Sequence, residues 1–182
     1  TIFGQKFLIA NIISVAIASI VLVAVFTLAF QNLTAAQAIR DRFIAANLAQ
    51  EGIEIVVNMR SSNWLTFNND IDFTDGSLIK WRGDTACVAG NPGCLPDGVN
   101  YIADYLSTDL GAGASLLSID SNGRYCHSAL GSCSGSTRPS PFSRTIDIST
   151  IDPLTNHQIQ VIARVTWPEG TVAVESRLYN WR

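Results

Sequence analysis

The sequence predicts an α+β fold, with one long N-terminal α-helix packed on an antiparallel sheet formed by the C-terminal part of the chain. Three observations carry this prediction. Phe7 to Phe30 runs for 24 residues without a formal charge. Apolar residues then recur at helical spacing to about Arg60, and no proline precedes Pro92. Beyond Phe142 the pattern changes to alternation in FSRTIDIS, QIQVIARVTW and TVAVESRLY, which is the period of half-buried strands.

At a rise of ~1.5 Å per residue, the uncharged run spans roughly 36 Å and exceeds the ~30 Å hydrocarbon core of a bilayer. Residues 1–30 are therefore expected to form an apolar half-helix able to cross a membrane. Residues 31–60 continue it as an amphipathic half, and residues 61–182 make a globular, strand-rich head. The run is longer than the ~7–15 apolar residues of a secretory signal. It is expected to stay in the mature protein, and a start at Thr1 in place of Met is expected to reflect processing or trimming.

At ~100° per residue, the second half carries two apolar stripes. Ile39, Phe43, Ala46, Ile53 and Val57 share one face, and Ile44, Leu48, Ile55 and Met59 lie nearly opposite. Arg40, Asn47, Glu51, Glu54 and Asn58 fill a strip between them. A helix on the surface of one domain needs a single apolar stripe. Two stripes imply contact with the head on one side, assigned to Ile39, Phe43, Ile53 and Val57, and with another molecule on the other. A helix buried deeply in its own domain is the alternative. Ser61-Ser62-Asn63 favours local backbone bonds and is expected to end the helix.

Between Trp64 and Lys80 the chain is rich in Asn and Asp. Asp70-Ile-Asp72-Phe-Thr74-Asp75-Gly76 resembles the opening of a calcium loop. Its glycine falls one place late, and Trp81 stands where the twelfth-position Glu belongs, so the stretch reads as a solvated turn. Residues 81–135 are loop-rich, with short strands expected at Leu116–Ile119 and Arg124–Tyr125 and a short helix or turn at Tyr101–Leu110. Ser132–Ser143 reads as a further loop. In the last strands Ile159, Val161, Ala163 and Val165 share one face, and Pro168-Glu169-Gly170 marks a turn. Short connections favour an antiparallel meander. Its apolar face needs a cover, which a stripe of the N-terminal helix supplies.

Cys87, Cys94, Cys126 and Cys133 all lie beyond residue 80, as two pairs with the same spacing. Four cysteines allow three connectivities. Two local loops, Cys87–Cys94 and Cys126–Cys133, are favoured because each encloses turn-forming residues. A zinc site is the rival, although neither pair is CxxC. Disulfides place the head in an oxidising compartment.

The net charge is −3, and acidic residues prevail beyond residue 60, so there is no basic footprint for nucleic acid. His127 and His157 both stand in loop-like context, and no GxSxG, HExxH, phosphate loop or GxGxxG occurs. No catalytic, metal or cofactor residues are assigned.

Two further stretches narrow the reading. Leu48-Ala-Gln-Glu-Gly-Ile-Glu54 runs on through Asn58-Met-Arg60 to Asn63-Trp64, and the chain ends with Val165-Thr-Trp167 and Arg177-Leu-Tyr-Asn-Trp181. With the long helix and the cysteine-closed strand head, these resemble the type IV pilins and pilin-like proteins (pseudopilins) of bacteria across nearly the whole chain. The resemblance implies cleavage of a short leader by a processing peptidase and residence in the inner membrane. Assembly machinery there would then extract the subunit into an extracellular helical homopolymer on the cell surface. It also implies filament-core contacts at Thr1, Gln5, Phe7, Ile13, Ile17, Ile20 and Phe26. Three positions depart from the family. Gln5 replaces the usual Glu, so the N-terminal amine loses its expected counter-charge, Thr1 replaces the usual Phe, and Leu22 stands where the family carries a helix-breaking proline. The helix is therefore expected to be continuous. A minor pilin, a secretion-system pseudopilin, or a single-span anchored binding domain that never polymerises are the alternatives.

Overall fold

The computed structural model describes residues 2–67, 80–82, 89–90, 92–113, 115–151 and 158–179, with the backbone alone at 2–10, 66–67 and 80. Its first element is a single α-helix, α1, Ile2–Phe67. It is unbroken, as a stretch without proline predicts. The chain divides into two compact units, residues 1–41 and 42–182. The first consists of helix, and the second holds the rest of α1 together with the head.

The helix runs seven residues past the expected end at Arg60. The polar residues that were to stop it find other partners. The Ser61 hydroxyl donates to Val57 O at 2.8 Å. The Asn63 amide donates to Gly93 O at 2.6 Å and Trp81 O at 3.3 Å. Tertiary hydrogen bonds therefore hold the last turns where local preference favoured a stop. Gly93 is required there: its φ is +74°, and a Cβ would come within 2.3 Å of Asn63 Oδ1.

Among the described residues, seven strands form one sheet: β1 (Gly98–Ile102), β2 (Gly111–Ala112), β3 (Leu116–Ile119), β4 (Tyr125–Cys126), β5 (Arg138–Thr150), β6 (Gln158–Trp167) and β7 (Gly170–Tyr179). The expected meander is β5–β6–β7, all antiparallel. β5 is the spine. One edge pairs with β6 from Ser143 to Thr150; the other is shared by β3 along its first half and β1 along its second. β2 extends β1, and β4 extends β3.

Several boundaries differ from expectation. β5 starts at Arg138, inside the stretch read as a loop. Pro139 and Pro141 are tolerated because they precede the β6 pairing and lie in the irregular register with β3. Tyr101 and Ile102 belong to β1; the rest of that stretch forms turns, one of its two expected forms. β4 lies one residue later than expected.

The helix packs on the sheet through Ala45, Leu48, Ala49, Ile55, Val56 and Met59, which are buried against β5, β6 and their neighbours. Gly52 sits on this stripe, where a Cβ would stand 3.1 Å from Ala163 Cβ and 3.3 Å from Arg144 Cδ. Of the assigned helix–head contacts, Ile53 and Val57 pack against the core, partly buried. Phe43 does not: it is 68% exposed, and Ile39, in the first unit, is 70% exposed. Leu48, Ile55 and Met59 of the opposite stripe are the buried ones. The sheet instead takes the face with Ala45, Ala49 and Gly52, whose small side chains let the helix backbone come close. From the sheet, Ile159, Val161, Ala163 and Val165 are fully buried, as their alternation predicts.

Candidate functional site

Two features stand out: the apolar surface of α1 and a charged network buried beneath its second half. The first comes directly from composition. In the first unit Ile12, Ile13, Val15, Ile17, Ile20, Val23, Phe26 and Phe30 are all more than half exposed. The helix is long and apolar enough to cross a membrane. Its hydroxyls bond inward to its own backbone. Ser19 donates to Ala16 O and Thr27 to Val23 O, both at 2.8 Å, and Thr34 to Gln31 O at 2.9 Å. These groups can therefore enter an apolar medium with their donors satisfied. Of the expected filament-core residues, Ile13, Ile17, Ile20 and Phe26 lie on this surface. Gln5 and Phe7 fall within α1, but their side chains are outside the described part, and Thr1 is outside the described residues altogether.

The buried network was not anticipated. Arg144 follows the alternation of β5 onto the same side as Phe142, Ile146 and Ile148, where it is fully buried. Its guanidinium donates to Ala103 O at 2.6 Å and to Leu48 O on α1 at 3.3 Å. It also meets two carboxylates, Asp104 at 3.3 Å and Glu51 at 3.2 Å. Asp104 is equally buried. It accepts from His127 N–H at 2.6 Å, pairs with the His127 ring through Nδ1 at 2.7 Å, and accepts from the Ser132 hydroxyl. Its own N–H donates to Ser107 Oγ at 2.8 Å. Burial alone raises the Asp104 carboxyl. The bonds from the His127 ring, Ser132 and the His127 N–H, with the His127 charge, outweigh it, and the group titrates below its ordinary value.

Cys126 and Cys133 form a disulfide whose Cα atoms are 5.4 Å apart, as expected. His127 and Ser132 both lie inside that loop, so Asp104 ties the loop to the core. Arg144 then ties Asp104 to the helix. Serine bonds the carboxylate here, whereas in a nucleophilic triad it bonds the imidazole. The geometry is that of a clamp between loop, sheet and helix. Beside it a groove of about 520 Å³ runs along α1, lined by Glu51, Glu54, Asn58, Asn63, Tyr105 and Thr108. Glu51, partly solvated, is where the network reaches the surface.

The other expected closure, Cys87–Cys94, lies partly outside the described residues: Cys94 is buried as a free thiol, and Cys87 is among the residues not described. The stretch from Asp70 to Gly76 and His157 also lie outside them. Among the described residues, no group of three or more His, Cys, Asp or Glu gathers as metal ligands. Hydrophobic patterning could not single out Asp104, His127 and Ser132. The usable signal was the parity of Arg144 with three buried apolar neighbours. Comparisons with protein-family models, curated proteins and solved structures find no match.

Proposed function

We propose that this chain is a structural subunit that polymerises through its N-terminal helix into an extracellular filament of the type IV pilus kind. The observation that carries this reading is the apolar surface of α1, exposed from Ile12 to Phe30 with its hydroxyls bonded inward. Such a surface is at rest in lipid. When it leaves lipid, the same surface on other copies is an equivalent solvent, and close helix packing adds dispersion contacts. A heterologous contact of this kind does not close on itself and propagates as a filament. The amphipathic half of α1 gives one face to the head and leaves Phe43 outward, as a subunit that touches neighbours requires. The clamp of Arg144 and Asp104 keeps helix and head together under load. Before assembly the same helix anchors the subunit in the inner membrane.

The test is electron microscopy and peptide mapping of material sheared from the surface of cells that make this chain. Filaments containing its peptides are expected, and they should vanish when Ile17 or Phe26 is replaced by Asp. Recovery of the chain from membranes alone, never in filaments, would sink polymerisation and leave a single-span anchored binding domain. Its abundance within the filaments separates a major from a minor subunit or pseudopilin.

A further inference from the structure

The last strand leaves one edge of the sheet open. Among the described residues β7 pairs only with β6, in a register without a bulge from Thr171 to Tyr179. The hairpin closes on the pair Trp167–Gly170. With a two-residue loop that pair must exchange the closing hydrogen bonds, so even-numbered residues of β7 direct N–H and C=O toward β6. The odd-numbered ones, Thr171, Ala173, Glu175, Arg177 and Tyr179, direct theirs outward, and all five are exposed. At the end of this edge Arg60 makes a long contact with Tyr179 O at 3.5 Å. Sheet edges are commonly blunted by proline, a bulge or an excess of one charge. This edge has none of these; its charges are one Glu and one Arg, two residues apart and 3.6 Å from each other.

That spacing makes the edge complementary to itself. We propose that β7 is a self-docking surface, pairing antiparallel with β7 of a second copy about a two-fold axis at Ser176. In this register Glu175 stands opposite Arg177 of the second copy, and Arg177 opposite its Glu175. Ala173 stands opposite Tyr179 on the same outer face, and Val174 opposite Leu178 on the core face. Half-buried Val172 and Val174 gain cover on their open flank. Both charge pairs and both outward pairs fall at hydrogen-bonded positions, while Ser176 meets its counterpart at a closer, non-hydrogen-bonded position. A one-residue shift of the axis in either direction would set Glu175 or Arg177 against its own like charge, so charge selects the register. The axis is perpendicular to the sheet, so the Arg42–Phe67 helices of the two copies run antiparallel. Neighbours in one filament of parallel helices cannot be related this way; the contact joins subunits of different filaments or of facing surfaces.

The experiment uses the full chain in detergent micelles. Association of differently tagged copies is measured for the parent, for E175R, for R177E and for an equal mixture of the two variants. The expected result is self-association of the parent, weakened about tenfold or more in each variant alone and restored in the mixture, where every charge again faces its opposite. Ser176→Cys should also form a disulfide dimer under mild oxidation beyond any formed by the parent. Circular dichroism confirms that each variant is folded. A monomeric parent, undiminished association of the single variants, or no recovery in the mixture overturns the proposal. The head pairing does not rest on polymerisation: parent filaments whose heads never pair would overturn the pairing alone, and head pairs without filaments would overturn polymerisation alone.

Discussion

Arg144 is the residue on which the head most depends. It is fully buried with two carboxylates and two backbone carbonyls as partners. A buried ion pair is weak evidence for net stability, but removing Arg144 takes the counter-charge from buried Asp104, which keeps only His127 and Ser132. Arg144→Ala is expected to lower head stability by about 3–5 kcal/mol, measured by urea unfolding. Asp104 adds a pH signature. Its folded carboxyl lies below the unfolded value. Its contribution is therefore complete above the ordinary carboxylate range near ~4 and is lost as pH falls through the folded value. Melting temperature should drop across that acidic window, and Asp104→Asn should start from a lower melting temperature and flatten the drop. Position five belongs to this scale too. On the proposed pilus-like assembly, where Gln5 stands in place of the Glu of the family that the sequence resembles, Gln5→Glu is expected to raise filament yield.

Among the elements, the second half of α1 and the disulfide loop are the ones whose packing can be tested separately. Gly52 lies where even a methyl group would be 3.1 Å from Ala163 Cβ. Gly52→Leu must push helix and sheet apart and should destabilise by about 1–3 kcal/mol; Phe43→Ala, on the exposed face, should leave the isolated subunit's melting temperature nearly unchanged. The Cys126–Cys133 bridge closes a short loop already held by Asp104 through His127 and Ser132. Cys126→Ser is expected to cost about 2–3 kcal/mol, less if those hydrogen bonds keep the loop ordered in the reduced chain. Comparing the melting of oxidised and reduced protein, with and without Asp104, measures how far the two restraints overlap.

For the whole molecule, organisation was legible where it follows from length and period. A long uncharged run without proline makes a helix, and strict alternation makes β6 and β7 at nearly their expected bounds. What was not legible depends on residues distant in sequence. The helix face that meets the sheet was read only in part: Ile53 and Val57 pack as assigned, but the buried residues are Leu48, Ile55 and Met59 of the other stripe together with Ala45 and Ala49, whose smallness a hydrophobicity stripe does not register. The helix end was misread because Asn63 is held by carbonyls of residues 81 and 93. Sequence alone determined that this chain has an apolar helix competent for a membrane and an antiparallel sheet beside it, because periodicity and length are local properties. Only the tertiary structure decided that β5 is the spine, that its arginine clamps Asp104 and Glu51, and that β7 pairs on one edge alone among the described residues. Burial, charge pairing and strand order arise between segments, and no local pattern records them.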